Sequence, residues 1–175
     1  MNVPLKIKIF MWFLYRRVLL TKDNLAKRNW QGCKTCCFCD KEESIQHLFI
    51  SCPFAKILWR IIHMAFNIPS PKNITNLFGN WLYGVPKKEK VQIRVGVCAL
   101  LWAIWNKRND IIFNNGNNCS FLQVISMAIH WIRTWSYLQP MEQRQALDFG
   151  CNHLEMVARA IYSQCSWHSE RRITC

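Results

Sequence analysis

The chain has 175 residues, about half of them apolar, and a formal net charge of +13. That length supports one domain with its own core, and that apolar content excludes a disordered tail. An excess of 23 Lys/Arg over 10 Asp/Glu calls for a polyanionic partner, and it is uneven. Residues 1–60 carry eleven basic against four acidic side chains, whereas residues 111–175 carry five against four. Glycine and proline are sparse, which predicts long elements with few tight hairpins.

In chain order, Pro4 can open a helix in which Ile7, Phe10, Met11, Leu14 and Val18 recur at spacings of three and four. Lys6 and Lys8 ahead of the run Ile9–Tyr15 imitate a signal peptide faintly. Arg16-Arg17 follow at once without a small-residue cleavage site, so the reading is an intracellular, reducing setting. Thr21 is placed to cap a short helix over Lys22–Arg28, with Asp23 in its first turn. Trp30-Gln31-Gly32 breaks the pattern and leads into a cysteine-rich stretch.

Helix resumes over Glu43–Ile50, and Cys52-Pro53 restarts it with Cys52 near the N-cap. A thiolate at that position meets the positive end of a helix dipole, which predicts a lowered pKa. Leu48, Cys52, Ala55, Trp59, Ile62 and Phe66 continue as one apolar stripe. Residues 67–86, with Pro69, Pro71, Gly79, Gly84 and Pro86, read as a connecting segment with a short turn around Ile74–Leu82.

A long helix is predicted from Lys87 to about Asn109, with Val91, Val95, Cys98, Trp102 and Trp105 on one stripe, widened by Leu101 and Ile104. Asn114–Asn118 is a loop, and Ser120 can cap a helix over 121–138 that is apolar on two faces. These two helices can bury each other, so the region after residue 87 is expected to depend less on any metal than the region before it. A weaker helix after Pro140 uses Leu147, Leu154, Val157 and Ile161, and Ser166–Cys175 is expected to fray. The organisation is an N-terminal domain with the cysteine-rich stretch over 1–66, a connector over 67–86, a helical region over 87–165 and a tail over 166–175. The fold class is mostly α.

The chemistry is concentrated in Cys36-x2-Cys39-x7-His47-x4-Cys52. Two cysteines at this spacing grip one cation from a tight turn, and a histidine with a third cysteine completes a tetrahedron. A Cys3His set favours Zn2+ over an iron–sulfur cluster and leaves no open coordination position. Cys33-x2-Cys36 is a second candidate pair, and Cys37 stands between the preferred cysteines. Cys36 and Cys39 are preferred because Cys39-Asp40 leads into the helix bearing His47. No glycine-rich phosphate loop and no paired aspartates occur; the four aspartates are Asp23, Asp40, Asp110 and Asp148. The expectation is a protein without catalytic activity of its own.

The run Pro4–Trp12, then Leu19–Leu25, Cys36-x2-Cys39, Glu43–Phe49 and Cys52–Ala55 with Trp59 resembles the reverse-transcriptase zinc-binding domain of LINE-type non-LTR retrotransposon polyproteins of the plant type. The likeness spans roughly residues 4–66, and Leu100–Asp110 resembles what commonly follows that domain. Glu43-Ser44 stands where the family usually has an acidic residue followed by Thr, and Cys33 lies outside the family pattern. The resemblance implies Zn2+ held by Cys36, Cys39, His47 and Cys52. It also implies a fragment isolated from the polymerase and ribonuclease H domains that accompany it in such polyproteins. The function expected is nucleic-acid binding, RNA or DNA, with little sequence preference. Lys27, Arg28, Lys34 and Lys41 would meet phosphates, and Trp30 and Phe38 would stack on bases. The alternative is a structural or protein-interaction domain stapled by zinc.

Overall fold

The computed structural model describes residues 2–114 and 119–164; the tail expected to fray and most of the asparagine-rich loop lie outside the described residues. Among the described residues seven α-helices follow in order: α1 Leu5–Tyr15, α2 Lys22–Ala26, α3 Pro53–Phe66, α4 Ile74–Phe78, α5 Lys87–Asn114, α6 Phe121–Ser136 and α7 Met141–Gln164. A π-helical turn, His47–Ser51, precedes α3. Among the described residues no strand forms; the one extended pairing is an isolated antiparallel bridge between Thr35 and Glu42. The mostly α fold class is therefore what the chain adopts.

Local signals account for most boundaries. Cys52 is the N-cap of α3 with Pro53 as its first residue, where a missing N–H costs nothing. The same helix ends at Asn67 in the left-handed conformation (φ 52°), whose N–H returns to the His63 carbonyl. Ser120 and Gln123 form a capping box at the start of α6. Asn73 caps α4 by accepting the Asn76 N–H, so part of the expected connector is helical and buries Ile74, Trp81 and Leu82.

The predicted α-helix over Glu43–Ile50 is not formed as such. The Glu43 N–H is drawn into the bridge, donating to the Lys34 carbonyl, and the turn that follows is wider than an α-helix, with Cys52 N–H bonded to the His47 carbonyl. The stripe expected along α3 is also corrected. Ala55, Leu58, Trp59 and Ile61 are fully buried, Ile62 is half-buried, and Phe66 is exposed with its ring edge-on to His153 of α7. This helix packs against both the π turn and α7, so its buried face is broader than one stripe.

Helix α5 lies at the centre. Every residue from Val97 to Leu101, together with Val95, Ala103 and Ile104, is buried, because α1, α6 and α7 all pack on it. Its Trp102 and Trp105 rings meet Phe10 of α1, and Phe49 of the π turn lies beside Trp105. The core is one continuous cluster running from Val3 to Ala158.

A buried ion pair fastens this central helix to the cysteine-rich stretch. Arg108, 3% exposed, donates to both oxygens of Glu43, 0% exposed, at 2.7 and 3.3 Å, and the Lys22 N–H donates to the same carboxylate at 2.9 Å. Removing one partner of such a pair leaves an uncompensated buried charge. We therefore expect Arg108→Met or Glu43→Leu each to cost about 3–5 kcal/mol in urea unfolding, with the double variant costing less than the sum. Additive losses would mean that the two side chains do not act as a pair.

Candidate metal centre

Three local structures deliver the four ligands. Cys36 and Cys39 lie in a tight turn closed by the Thr35–Glu42 bridge and by Cys36 N–H donating to the Lys41 carbonyl at 2.8 Å. Within the turn, Phe38 N–H points at Cys36 Sγ at 3.5 Å, which favours a thiolate there. His47 comes from the π turn, whose extra width swings the ring toward the thiols, a common use of π geometry at functional sites. Cys52 is held at the N-terminus of α3.

The ligand atoms of Cys36, Cys39, His47 and Cys52 all lie within 4.8 Å of one another. Cys52 Sγ is 3.7 Å from Cys39 Sγ, and His47 Nε2 is 3.1 Å from Cys39 Sγ. A tetrahedral ion with metal–sulfur bonds near 2.3 Å requires sulfur–sulfur edges of about 3.8 Å, so this spacing suits a metal. Three sulfurs and one imidazole nitrogen, with Cys36, Cys52 and His47 buried, are the donors of a closed site. Chemistry and packing both fit a bound ion.

Hydrogen bonding among the cysteines favours a thiolate at Cys36 and protonated thiols beside it. Hydrogen bonds from the Cys37 thiol, then from the Cys52 thiol, hold Cys36 far below its ordinary pKa. Cys37 and Cys52 are pushed up in turn, first by that bond to Cys36 and then by burial, and burial raises Cys39. The lowered pKa expected for Cys52 from the helix dipole is thus reversed. The Phe54 N–H does lower it, but the Cys36 bond and burial outweigh that contribution. A cation among the four would displace these protons, so folding, metal and proton release are linked.

Cys37 also falls in a second close group with Cys36 and Glu43, but Glu43 is already taken by Arg108. Cys33 is exposed. Cys98 is a core residue whose thiol burial pushes up to about 12, and Cys151 is likewise buried.

The residues considered for nucleic acid lie around this centre. Lys34 and Lys41 are exposed on the two arms of the metal turn. Lys27 and Arg28 are exposed at the end of α2, with Lys27 also bonded to Asn24 Oδ1 at 2.9 Å. Trp30 is 38% exposed and its ring lies across Gly32, where a Cβ would come within 1.9 Å of it. Phe38 is half-buried and stacked on Phe54, with centroids 4.5 Å apart and planes at 13°, so one ring face is occupied within the protein. The sequence reading missed Arg108. Its signal was a cation shortly after the apolar run Val95–Trp105, on a helix whose burial on several sides calls for a partner.

Fold and site together define a helical protein with a closed Cys3His metal-binding turn. Residues 1–59 match the family model described as zinc-binding in reverse transcriptase, which bears out the resemblance over that stretch, about a third of the chain. Among the curated proteins and the solved structures nothing matches the chain. No helix among the described residues is long and apolar enough to cross a membrane.

Purified reduced protein should carry about one zinc per chain. Cys39→Ser and His47→Ala should each lose the metal and open residues 30–60 to protease, while Cys37→Ser should keep it. Elemental analysis reads the metal. A metal-free folded wild type, or metal loss in the Cys37 variant, would overturn this ligand set.

Proposed function

We propose that the N-terminal part of this chain is a zinc-stabilised nucleic-acid-binding module derived from a retrotransposon reverse-transcriptase polyprotein. In such a polyprotein its neighbours would be polymerase and ribonuclease H domains. The observation that carries the reading is the set of exposed cations around the metal turn. Lys34 and Lys41 sit on its two arms, and Lys27 and Arg28 lie just upstream beside the partly exposed Trp30. Cations held on a rigid turn contact phosphates without large ordering cost, and an exposed indole offers a face to any base. Trp30 is the better stacking candidate, because Phe38 already stacks on Phe54.

The module is non-catalytic in this reading. Four protein ligands leave the ion no position for a reactive water, so the metal serves as a structural staple. Contacts to phosphate position a protein without reading sequence, so RNA or DNA single strands of any sequence should bind comparably.

Binding should weaken linearly in log salt. Replacing Lys27, Arg28, Lys34 and Lys41 by Gln should flatten that slope by up to about 3 on single strands, with zinc content unchanged. Trp30→Ala should cost about 1–3 kcal/mol of single-strand affinity. A titration series across salt concentrations checks both. Undiminished binding by the four-Gln variant would remove the basis for this surface.

A further inference from the structure

Helix α1 is apolar on two opposite faces, and only one of them meets the core. Ile7, Phe10 and Leu14 are buried. Leu5, Ile9 and Trp12, at spacings of four and three, form a second stripe that faces water, 71%, 44% and 56% exposed. Phe13 flanks it, with its ring 5.3 Å from that of Trp12. A solvent-facing helix surface ordinarily carries charge, and an exposed apolar stripe of this kind marks an interaction site. Other segments meet both ends of α1. At the start of α1, the Asn2 side chain donates to the Leu138 carbonyl at 3.1 Å and Gln139 donates to the Asn2 carbonyl, which brings half-exposed Leu138 alongside. At the far end, Tyr15 packs edge-on against Phe78 of α4 with centroids 5.4 Å apart.

Along α1 and the residues that follow it directly, the charge is of one sign. Residues 1–22 contain Lys6, Lys8, Arg16, Arg17 and Lys22 and no acidic residue. Lys6 lies over the Trp102 and Trp131 rings, Lys22 bonds to the Thr35 carbonyl, and Arg17 to the Thr75 hydroxyl. Lys8 and Arg16 remain exposed beside the stripe. At 100° per residue, Arg16 continues the line of Leu5, Ile9 and Trp12, with Lys8 on its flank.

We propose that this face of α1 docks an amphipathic helix of a partner protein whose apolar ridge is bordered by Asp and Glu. The i, i+4, i+7 spacing of the stripe matches the ridge of a packing helix, and the cations select an acidic border. A second copy of this chain, itself at +13, would set like charges against each other. A nucleic acid would leave Leu5 and Ile9, which have no ring to stack, against sugar and phosphate. The proposal is independent of the nucleic-acid reading, whose residues lie just after α2 and on the metal turn.

The test uses the full metal-loaded chain and three labelled probes. They are a synthetic helix with a leucine ridge bordered by glutamate, the same helix with lysine for glutamate, and a single-stranded oligonucleotide. The glutamate helix should bind, and Ile9→Gln and Trp12→Gln should each weaken it at least about tenfold, a clear loss on the affinity scale. The lysine helix should not bind, and oligonucleotide affinity should be unchanged in both variants. Amide shift mapping on the unmodified chain should place the glutamate helix on α1, which keeps the test decisive if a variant folds poorly. Equal binding of both helices, no effect of the Gln variants, or mapping elsewhere would overturn the proposal. Oligonucleotide binding lost in the Gln variants would reassign the face to nucleic acid, and a dimer abolished by Ile9→Gln in sedimentation would reassign it to a second copy.

Discussion

The Glu43 carboxylate has no contact with water and takes its hydrogen bonds from Arg108 and from the Lys22 backbone. A carboxylate so placed cannot be left half-satisfied, because its desolvation is offset only while the guanidinium and the amide are in position. Three separate pieces of chain therefore share one condition. The start of α2, the second arm of the metal turn and the last third of α5 must be in register together. The Arg108 guanidinium also lies over the Trp105 ring, 5.0 Å from its centroid, so the charged contact is continuous with the aromatic contacts to Phe10 and Phe49.

This contact changes how the metal centre should be viewed. A Cys3His turn in a small finger organises a few residues around itself and owes its fold to the ion. Here the turn is also held from outside. Trp59 of α3 donates to the Phe49 carbonyl at 2.8 Å, and Ile74 N–H donates to the Gln46 side chain at 3.0 Å, so the π turn carrying His47 is braced on two sides. A bound ion and the bundle would constrain the same residues. The helices after residue 87, expected to depend less on the metal, meet this turn through Arg108 of α5, which pairs with Glu43 on the arm that follows Cys39.

The surface divides by chemistry. Exposed cations lie on and just upstream of the Cys3His turn. The outward stripe of α1 is different in kind, apolar in its middle and basic at its margin. On the proposed reading the first surface would serve a polyanion and the second a protein partner, so the two would not compete for one face.

Helix positions, the Cys52-Pro53 restart, the Ser120 cap and the Cys-x2-Cys turn were legible in the sequence, because each depends on residues within a few positions of one another. The family likeness rested on the same short-range motifs. The π turn, the broad buried face of α3, the pairing of Glu43 with Arg108 and the exposure of Leu5, Ile9 and Trp12 were decided by tertiary structure. Periodicity reports that a helix has apolar faces, but only the packed neighbours determine which face is covered. Likewise, Glu43 in a turn and Arg108 near the end of a long helix, 65 residues apart, reveal nothing of each other until folding removes both from water.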